Sequence, residues 1–499
     1  MGRDGEYASN GLHFLFVPLM SQSHLLPFAD LAKLFARHGP RVTLVLTPVN
    51  ATRYRSVLDH ATTHGLRIQF LTLAFPGAEF GIPDGCENLD SLPPTASVER
   101  FFDASNALER PIEDWIAEGR PDCIVSDVCF PWMREVAGRF SIPRLVFHGI
   151  SCFTLLCSDR IKTYNIYEGL ISDDERFRVP DFPDKIELTR AQIPTWPGNE
   201  DRLKQFKEAE ITADGVMVNT FEELEGKYAE GYKKVVKRLW CVGPVSLDKD
   251  ESGLADRGNK SSIDTDSCMN WLNSKDPKSV LYVCFGSLFK MAVSQSIELA
   301  LGLESSNHSF ILVIRKSGRG GDSRTGKLES WLRDYDFESR VGGKGLLIRG
   351  WAPQALILAH PAIAGFMTHC GWNSTVEGVS YGLPMITWPM FAEQFYNEKL
   401  IVEVLKIGVR VGAEAPANQA DEDEDEVVEG IVRREDVRGA IEELMDDGEE
   451  GKARMRRAEE VGRKAKKAVG VGGSSYLNID KVIQFVKELL NNNSPTAIP

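Results

Sequence analysis

One stretch of the sequence, FMTHCGWNSTVEG (366–378), gathers several residue types that can do chemistry. A histidine, a cysteine and a glycine stand before a run of hydroxyl and amide side chains. A metal ion, a nucleophile or an anion could each explain this grouping. A zinc site would need more ligands at regular spacing than the adjacent His369 and Cys370. A nucleophilic serine would need flanking glycines that Ser374 lacks.

The same stretch lies between an apolar run, AGFMTH, and a predicted helix. Residues 373–375 are favourable N-cap residues, and the helix should run to about Tyr381 and stop at Gly382. The free N–H groups and the positive end of the helix dipole attract anions at such a start. Gly371 permits close approach of the backbone to a ligand. We therefore expect a phosphate site at this corner.

Two further features support an anion at this corner, and one alternative stays open. His369, at the tip of the strand, could donate a hydrogen bond to the same anion. Gly286 and Ser287 end another apolar run and could supply a second phosphate contact. In the structural alternative, Ser374 and Glu377 form a capping box and merely start the helix.

Short apolar runs rich in β-branched residues recur along the chain, with helical patterns between them. Such runs are typical of a parallel sheet that is covered by helices on both faces. In the first half they occupy residues 12–19, 41–48, 67–73, 123–127, 144–149 and 215–220. In the second half they occupy residues 279–287, 309–315, 345–351, 364–369, 384–389 and 408–412.

A polar, charged segment without periodicity, 248–267, separates the two sets of runs. We therefore predict an α/β fold with two doubly wound Rossmann-like domains, 1–247 and 268–474. A helix in 475–499 has an apolar stripe and should pack back on the first domain. Ligands of doubly wound sheets bind beyond the carboxyl ends of the strands. Two such sheets facing each other would place the site in the cleft between them.

The composition limits the partners and the compartment. The net charge of −14 argues against binding to a nucleic-acid backbone. No apolar run reaches the length of a membrane span. Nine cysteines without a CxxC pair indicate reduced thiols, and no signal peptide is recognisable, so we expect a cytoplasmic protein. We also expect a monomer. The acidic run 421–426 is typical of a solvated loop.

The segment from Trp351 to Gln394 resembles the signature box of plant UDP-dependent glycosyltransferases that act on small molecules. The spacing agrees across the whole box, from WAPQ through HCGWNS to AEQ. The resemblance extends over nearly all of the chain, from FVPLMSQSHLLP to GGSSYLNID. It implies a GT-B fold, in which two Rossmann-like domains face each other. It also implies a UDP-sugar as co-substrate, with no metal and no other cofactor.

The resemblance implies roles for the residues that would bind the nucleotide. Trp351 would stack on uracil, and the backbone of Ala352 would hydrogen-bond the edge of the base. Gln354 and Glu377 would hold the ribose hydroxyls. The diphosphate would be held by Ser287, His369, Asn373 and Ser374, and we count Gly286 and Gly371 among the donor-binding residues because of their places beside them.

The sugar would contact Trp372, Glu393 and Gln394. In the family that this chain resembles, a glutamine at the end of the box is associated with glucose as the donated sugar. We therefore expect UDP-glucose as the donor. UDP-galactose, UDP-xylose and UDP-glucuronic acid remain alternative donors.

His24 and Asp127 are the expected catalytic pair. His24 follows the first apolar run and Asp127 ends a later one, so both belong at carboxyl ends of strands of the first domain. A neutral imidazole is a suitable base for an acceptor hydroxyl. A carboxylate would fix its tautomer and stabilise the imidazolium. Both residues stand at the positions where the family carries this pair.

These assignments predict an inverting transferase that moves glucose to a hydroxyl of a small apolar or phenolic acceptor and gives a β-glucoside. A non-catalytic nucleotide-sugar binder is the alternative from another class. The acceptor pocket should be built from first-domain loops, whose aromatic residues suggest a phenol, flavonoid or terpenoid. The candidate contacts are Phe130, Trp132, Phe153 and Trp196.

Overall fold

The structure is a computed structural model, and it describes residues 11–93, 96–194, 200–247, 257–287, 291–315, 323–417 and 431–493. Trp196 and the acidic run 421–426 lie outside the described residues. So does the first part of the predicted linker, 248–256.

The first half of the chain forms a seven-stranded sheet with the order β3-β2-β1-β4-β5-β8-β9, in which all neighbouring strands are parallel. Its central strands are buried along their length because their apolar side chains meet helices on both faces. A separate antiparallel pair, β6 and β7, lies outside this sheet. The strands are β1 His13–Val17, β2 Arg41–Leu46, β3 Ile68–Thr72, β4 Cys123–Ser126, β5 Arg144–His148, β6 Arg176–Arg178, β7 Glu187–Thr189, β8 Gly215–Val218 and β9 Leu239–Cys241.

Helices connect these parallel strands, as parallel pairing requires. The α-helices are α1 Gln22–Arg37, α2 Pro48–Arg53, α3 Arg55–Thr63, α4 Val98–Asn106, α5 Glu109–Gly119, α6 Met133–Phe140, α7 Cys152–Thr163, α8 Ile166–Gly169, α9 Glu200–Thr212 and α10 Glu222–Tyr232. Short 3₁₀ turns cover Gly77–Phe80, Leu89–Ser91 and Arg190–Gln192.

The second half forms a six-stranded sheet with the order β12-β11-β10-β13-β14-β15, again with parallel neighbours. Its strands are β10 Val280–Cys284, β11 Ser309–Ile314, β12 Gly345–Arg349, β13 Ile363–Thr368, β14 Met385–Thr387 and β15 Gly408–Arg410. Its helices are α11 Thr265–Asn273, α12 Val293–Ser306, α13 Ser323–Asp334, α14 Phe337–Val341, α15 Gln354–Leu358, α16 Trp372–Ser380, α17 Gln394–Lys399, α18 Arg434–Leu444 and α19 Glu449–Val469, with a 3₁₀ turn Gly342–Lys344 and a π-helix Leu400–Val404.

The last helix, α20 Ser474–Asn493, lies on the first sheet beside β9. Its residues Ile479, Val482 and Val486 are buried in the core of the first half. Ser475 Oγ donates to the carbonyl of Gly243, and the Asn478 amide donates to the carbonyl of Cys241. The end of the chain therefore completes the core that its beginning forms.

The prediction of an α/β fold with two Rossmann-like halves is confirmed by the two parallel sheets. Every cysteine is a free thiol. In the part of the chain that the structure describes, no helix is both long and apolar enough to cross a membrane.

Candidate functional site

Helix α16 begins at the corner after β13, where the sequence predicts an anion site. Its first residue is Trp372, with Gly371 as N-cap and no side-chain hydrogen bond to the cap. The predicted start at 373–375 is therefore late, and the capping-box alternative is wrong. Ser374 lies inside the first turn, and the Glu377 carboxylate bonds to side chains elsewhere. The N-cap, Gly371, offers no side chain to the N–H groups of the first turn, so these groups can bind an anion.

His369 lies at this corner between two glycines. A Cβ at Gly286, where φ is +76°, would lie 2.7 Å from Cε1 of His369, and a Cβ at Gly371 would lie 2.4 Å from its Nε2. Only glycine fits both positions without moving the ring. Within the described ranges the buried Nδ1 atom of His369 has no hydrogen-bond partner, and burial lowers the pKa of His369 to about 4. The ring is thus neutral near pH 7, with a polar atom left for a ligand. Ser287 follows Gly286 and is half-buried at the tip of β10.

The two residues expected to hold ribose hydroxyls contact each other. The Gln354 amide donates to Oε2 of Glu377 over 2.8 Å, and at 3.3 Å to the hydroxyl of Ser374. Glu377 is buried, and its other oxygen, Oε1, accepts a hydrogen bond from Arg257. Helix α16 therefore brings the expected phosphate and ribose contacts to one place.

Trp351 and Ala352 follow β12 at its carboxyl end. Both main-chain groups of Trp351 are paired with Ser262: its N–H donates to Oγ over 2.9 Å, and its carbonyl accepts from the Ser262 N–H over 2.8 Å. A Cβ at Gly258 would lie 2.8 Å from Cζ2 of Trp351. The indole expected to stack on uracil thus lies next to the segment that leads into the second half.

Trp372 and Asn373 connect the two halves of the molecule. The indole of Trp372 is buried, and its N–H donates to the carbonyl of Asn219 over 2.7 Å. The Asn373 amide donates to the carbonyl of Ser23 over 2.7 Å. The Trp372 indole therefore has no surface for a sugar, so a sugar contact from this position is left to its main chain.

Glu393 and Gln394 lie at the start of α17. Burial raises the pKa of Glu393, which is close enough to His24 for their charges to interact, and its carboxylate accepts from the N–H of Trp372. Gln394 is buried, and its Oε1 accepts from the N–H groups of Met390 and Phe391 over 2.8 and 3.1 Å. Gln394 therefore shapes the loop before α17.

The predicted catalytic pair is formed in the first half. His24 lies in the first turn of α1, and its Nδ1 lies 2.6 Å from Oδ2 of Asp127, directly after β4. The other carboxylate oxygen accepts from the N–H of Cys129 over 3.1 Å. Asp127 is buried, whereas His24 keeps 37% of its side chain exposed. Nδ1 therefore faces the carboxylate and Nε2 is left for a substrate.

The charges of the pair favour an ionised carboxylate and a basic imidazole. Burial raises the pKa of Asp127, but His24 and the N–H of Cys129 outweigh it and hold this pKa at about 2. Burial lowers the pKa of His24, but the charge and hydrogen bond of Asp127 and the charge of Glu393 raise it above the ordinary 6.5. His24 is thus a stronger base than a free histidine.

The structure corrects part of the acceptor prediction. Phe153 is fully buried among Phe182 and Tyr228, and Phe130 is 1% exposed, so both are core residues with no surface for a ligand. Trp132 is half-buried, with its ring 5.4 Å from that of Phe130 and its N–H on Asn106. Only Trp132 of these three keeps a surface that a ligand could touch.

Three residues at this site were missed by the sequence analysis. Arg257 was part of a segment whose composition indicates a linker, yet it pairs with Glu377 and Asp30. Asp30 lies on the buried face of α1, and a charge within the apolar run PFADLAKLFA was the available signal. Gln22 is 1% exposed and its Nε2 has no partner among the described residues.

No group of three or more His, Cys, Asp or Glu side chains that could hold a metal ion occurs within the described ranges. The polar groups at this site are donors and carboxylates suited to a sugar nucleotide. They can bind a diphosphate, hold hydroxyls and remove a proton.

A family profile matches part of the chain, and individual relatives match nearly all of it. A profile of the UDP-glucoronosyl and UDP-glucosyl transferase family matches residues 261–424. UDP-glycosyltransferase 73C5 of Arabidopsis thaliana is 47% identical over 496 residues, which cover 97% of this chain and 99% of that protein. UDP-glycosyltransferase 73C25 of Barbarea vulgaris is 45% identical, covering 98% of this chain and 99% of that protein.

Solved structures of plant UGT proteins are also similar to nearly the whole chain. Glycyrrhiza uralensis UGT73P12, complexed with glycyrrhetinic acid 3-O-monoglucuronide, matches with a TM-score of 0.86 and 38% identity over 96% of each chain. Arabidopsis thaliana UGT89C1, complexed with UDP-L-rhamnose, matches with a TM-score of 0.73 and 28% identity, covering 95% of this chain and 98% of that chain.

Proposed function

The chain belongs to the UDP-glycosyltransferase family, and we propose that it transfers glucose from UDP-glucose to a hydroxyl of a small apolar or phenolic acceptor. The product is a β-glucoside, formed in one inverting displacement. We further propose that it works as a monomer in the cytosol, where its nine free thiols would stay reduced.

One observation carries this proposal: the His24–Asp127 pair lies directly against the anion-binding corner of the second half. The neighbour of the base, Ser23, accepts a hydrogen bond from Asn373 in the first turn of α16. The charge of Glu393 acts on His24. A base and a diphosphate site on opposite sides of one cleft are the arrangement that glycosyl transfer from a nucleotide sugar needs.

The chemistry follows from the geometry. Nδ1 of His24 faces Asp127, so Nε2 takes the proton of the acceptor hydroxyl as its oxygen bonds to C1 of the glucose. The bond between C1 and the phosphate oxygen breaks on the opposite face, and UDP leaves with the electron pair. Asp127 stabilises the imidazolium that forms. This single displacement converts an α-linked donor into a β-linked product.

The charge that develops on UDP needs stabilisation. The start of α16, where a glycine is the N-cap, offers N–H groups and the positive end of its dipole. The partnerless Nδ1 of His369 adds a donor or, once an anion favours its protonation, a positive charge. We propose that these groups do this work without a resident metal ion.

Glucose is proposed because the box ends in Gln394, which the family associates with that sugar. UDP-galactose, UDP-xylose and UDP-glucuronic acid remain the alternative donors. The UDP-L-rhamnose complex of UGT89C1 makes UDP-rhamnose a fourth alternative to test. For the acceptor, the ligand of UGT73P12, glycyrrhetinic acid 3-O-monoglucuronide, is a rational first member of the panel. The aromatic contacts that we still propose are the half-buried Trp132 and Trp196, which lies outside the described residues.

The proposal is tested by a product screen. The purified chain is incubated with each UDP-sugar and a panel of phenols, flavonoids and terpenoids, and products are identified by mass spectrometry. We expect hexosides with UDP-glucose and slower reactions with the other donors. His24→Ala should reduce transfer by at least a hundredfold, because a positioned base contributes about 10²–10⁴ in rate.

UDP binding to His24→Ala, measured by calorimetry, separates the catalytic role from a structural one. We expect the mutant to bind UDP as the parent does. His360→Ala is the matched control, because His360 bonds to Asn273 at the surface of the second half and should leave transfer unchanged. UDP binding without any transfer by the parent would instead support the non-catalytic nucleotide-sugar binder.

A further inference from the structure

Arg257 is held between the two halves of the molecule at the expected ribose site. Its Nε donates to Oδ2 of Asp30 over 2.7 Å, and a terminal nitrogen donates to Oε1 of Glu377. The exposed fractions of the three side chains are 12% for Arg257, 4% for Asp30 and 3% for Glu377. The guanidinium is therefore a buried bridge between α1 and α16.

The residues after Arg257 occupy the expected base site. A Cβ at Gly258, where φ is +86°, would lie 2.8 Å from the ring of Trp351 and 2.8 Å from Nε2 of Gln22. Ser262 pairs with both main-chain groups of Trp351. The segment 257–262 thus lies on the indole that would receive uracil, and its arginine lies on the carboxylate that would receive ribose.

We propose that the segment 257–262 fills the nucleoside part of the donor pocket when the pocket is empty, and that a UDP-sugar must displace Arg257 from Glu377 to bind. The inference rests on the proposed function, because it takes Trp351 and Glu377 as nucleoside contacts. It goes beyond that function because it makes segment 257–262 of the chain itself a competitor of the UDP-sugar for the donor pocket.

Competition follows from the space beside Glu377. Oε2 accepts from Gln354 and Oε1 accepts from Arg257, so a ribose hydroxyl that approaches Oε1 meets the guanidinium already held there. Gly258, next to Arg257, has no room for a Cβ between the Trp351 ring and Gln22, so its backbone lies close to the indole. Movement of the whole segment away from Glu377 would therefore open the base and ribose sites together.

Displacement leaves neither carboxylate without a partner. Asp30 retains the Lys33 ammonium at 2.9 Å, and Glu377 retains the Gln354 amide. The Gln22 amide, for whose Nε2 the described part of the chain offers no hydrogen-bond partner, faces the space that Gly258 would leave. These residual contacts keep the cost of opening moderate, because a buried charge without any partner would be far more costly.

The test compares UDP affinity in Arg257 variants by calorimetry. An occupied pocket raises the apparent Kd by the inverse of the open fraction, so a segment that is closed in nine molecules of ten raises it about tenfold. We expect Arg257→Gln to lower the Kd for UDP by about that factor and Arg257→Lys, which keeps the charge, to change it less. Asp30→Asn, which weakens the bridge from the other side, should give a smaller decrease.

Hydrogen exchange gives a second readout that does not depend on a variant. The N–H of Ser262 is hydrogen-bonded to the Trp351 carbonyl in the empty pocket. If UDP displaces the segment, amides in a peptide covering 258–265 should exchange faster with UDP, whereas amides of α16 should exchange more slowly. Thermal unfolding of each variant verifies that it is folded.

The outcomes separate this inference from the proposed function. If Arg257→Gln weakens UDP binding, or if the peptide becomes protected by UDP, Arg257 is a donor contact and the inference is wrong. If UDP binds the parent and Arg257→Gln equally while transfer continues, the inference fails and the proposed function stands. If neither binds UDP and no donor is used, both fail.

Discussion

His24 and Asp127 are 103 positions apart in the chain, and their side chains are joined by a hydrogen bond. Each residue alone has an ordinary structural explanation, as the start of a helix or the end of a strand. Together they form a pair in which the charge and hydrogen bond of Asp127 outweigh the effect of burial and raise the pKa of His24.

The pH dependence of transfer should reveal this pair. Only the neutral imidazole can accept a proton, so kcat/KM should fall as the pH drops through the pKa of His24, which lies above 6.5. Asp127→Asn removes the carboxylate charge that raises the pKa of His24, while burial still lowers this pKa. The acid limb should therefore move to lower pH. The plateau should fall by about a hundredfold or more, because the tautomer is no longer fixed.

Asp122→Asn is the matched control for this profile. Asp122 stands directly before β4, at the opposite end of the strand that Asp127 follows, and accepts from the N–H of His13. It should leave both the limb and the plateau unchanged. An acid limb at the same pH in Asp127→Asn and the parent would show that the carboxylate does not set the pKa of the base.

Helix α16 shows how an element can serve stability and binding through different residues. Its N-cap, Gly371, provides no side-chain cap, whereas most of the length of the helix is buried against the sheet and α19. Packing, rather than capping, therefore holds this helix, and its amino end remains available to an anion. The predicted capping box was wrong because Glu377 points to Gln354 and Arg257, away from the start of the helix.

Two serines of α16 allow a matched test of the anion site. Ser374→Ala removes a hydroxyl from the first turn, and we expect the Kd for UDP to rise about tenfold, as for a lost hydrogen bond to a charged group. Binding of uridine, which lacks phosphate, should hardly change. Both affinities are measured by calorimetry.

Ser380→Ala is the control at the other end of the same helix, where the hydroxyl bonds to the carbonyl of Val376. It should leave the affinities for UDP and uridine as they are. An equal loss for UDP and uridine in Ser374→Ala would mean that Ser374 acts through Gln354 on the ribose side. In that case the diphosphate role of Ser374 would be rejected.

The whole molecule is joined at several places besides the linker. Trp372 bonds to Asn219, Asn373 bonds to Ser23, and Arg315 donates to the carbonyl of Asp90 over 2.7 Å. The terminal helix α20 returns to the first half and buries Val482 in its core. The two halves are thus joined by polar contacts at the cleft. The terminal helix contributes apolar side chains to the core of the first half.

A core substitution in α20 should measure that contribution. Val482 is fully buried, so Val482→Ala should cost about 2 kcal/mol and lower the midpoint of thermal unfolding by about 4–8 °C. Leu477→Ala, in the same helix at a residue that is 43% exposed, should shift the midpoint little. The midpoints are measured by differential scanning calorimetry. Equal shifts of the midpoint in the two variants would show that α20 does not complete the core of the first half.

The sequence by itself determined the two parallel sheets, because apolar runs between helical patterns need burial on both faces. It also determined the family, through the box from Trp351 to Gln394, and the identity of the residues that line the corner after β13. These features are local: they depend on periodicity and on spacing within one segment.

Only the tertiary structure decided which side chains meet. Arg257 is 227 positions from Asp30 and 120 from Glu377, and no local pattern could predict that a residue of the linker lies between them. Packing likewise decided that Phe153 is core whereas Trp132 keeps some surface. Contacts of this kind depend on how two separately folded sheets face each other, which local periodicity does not encode.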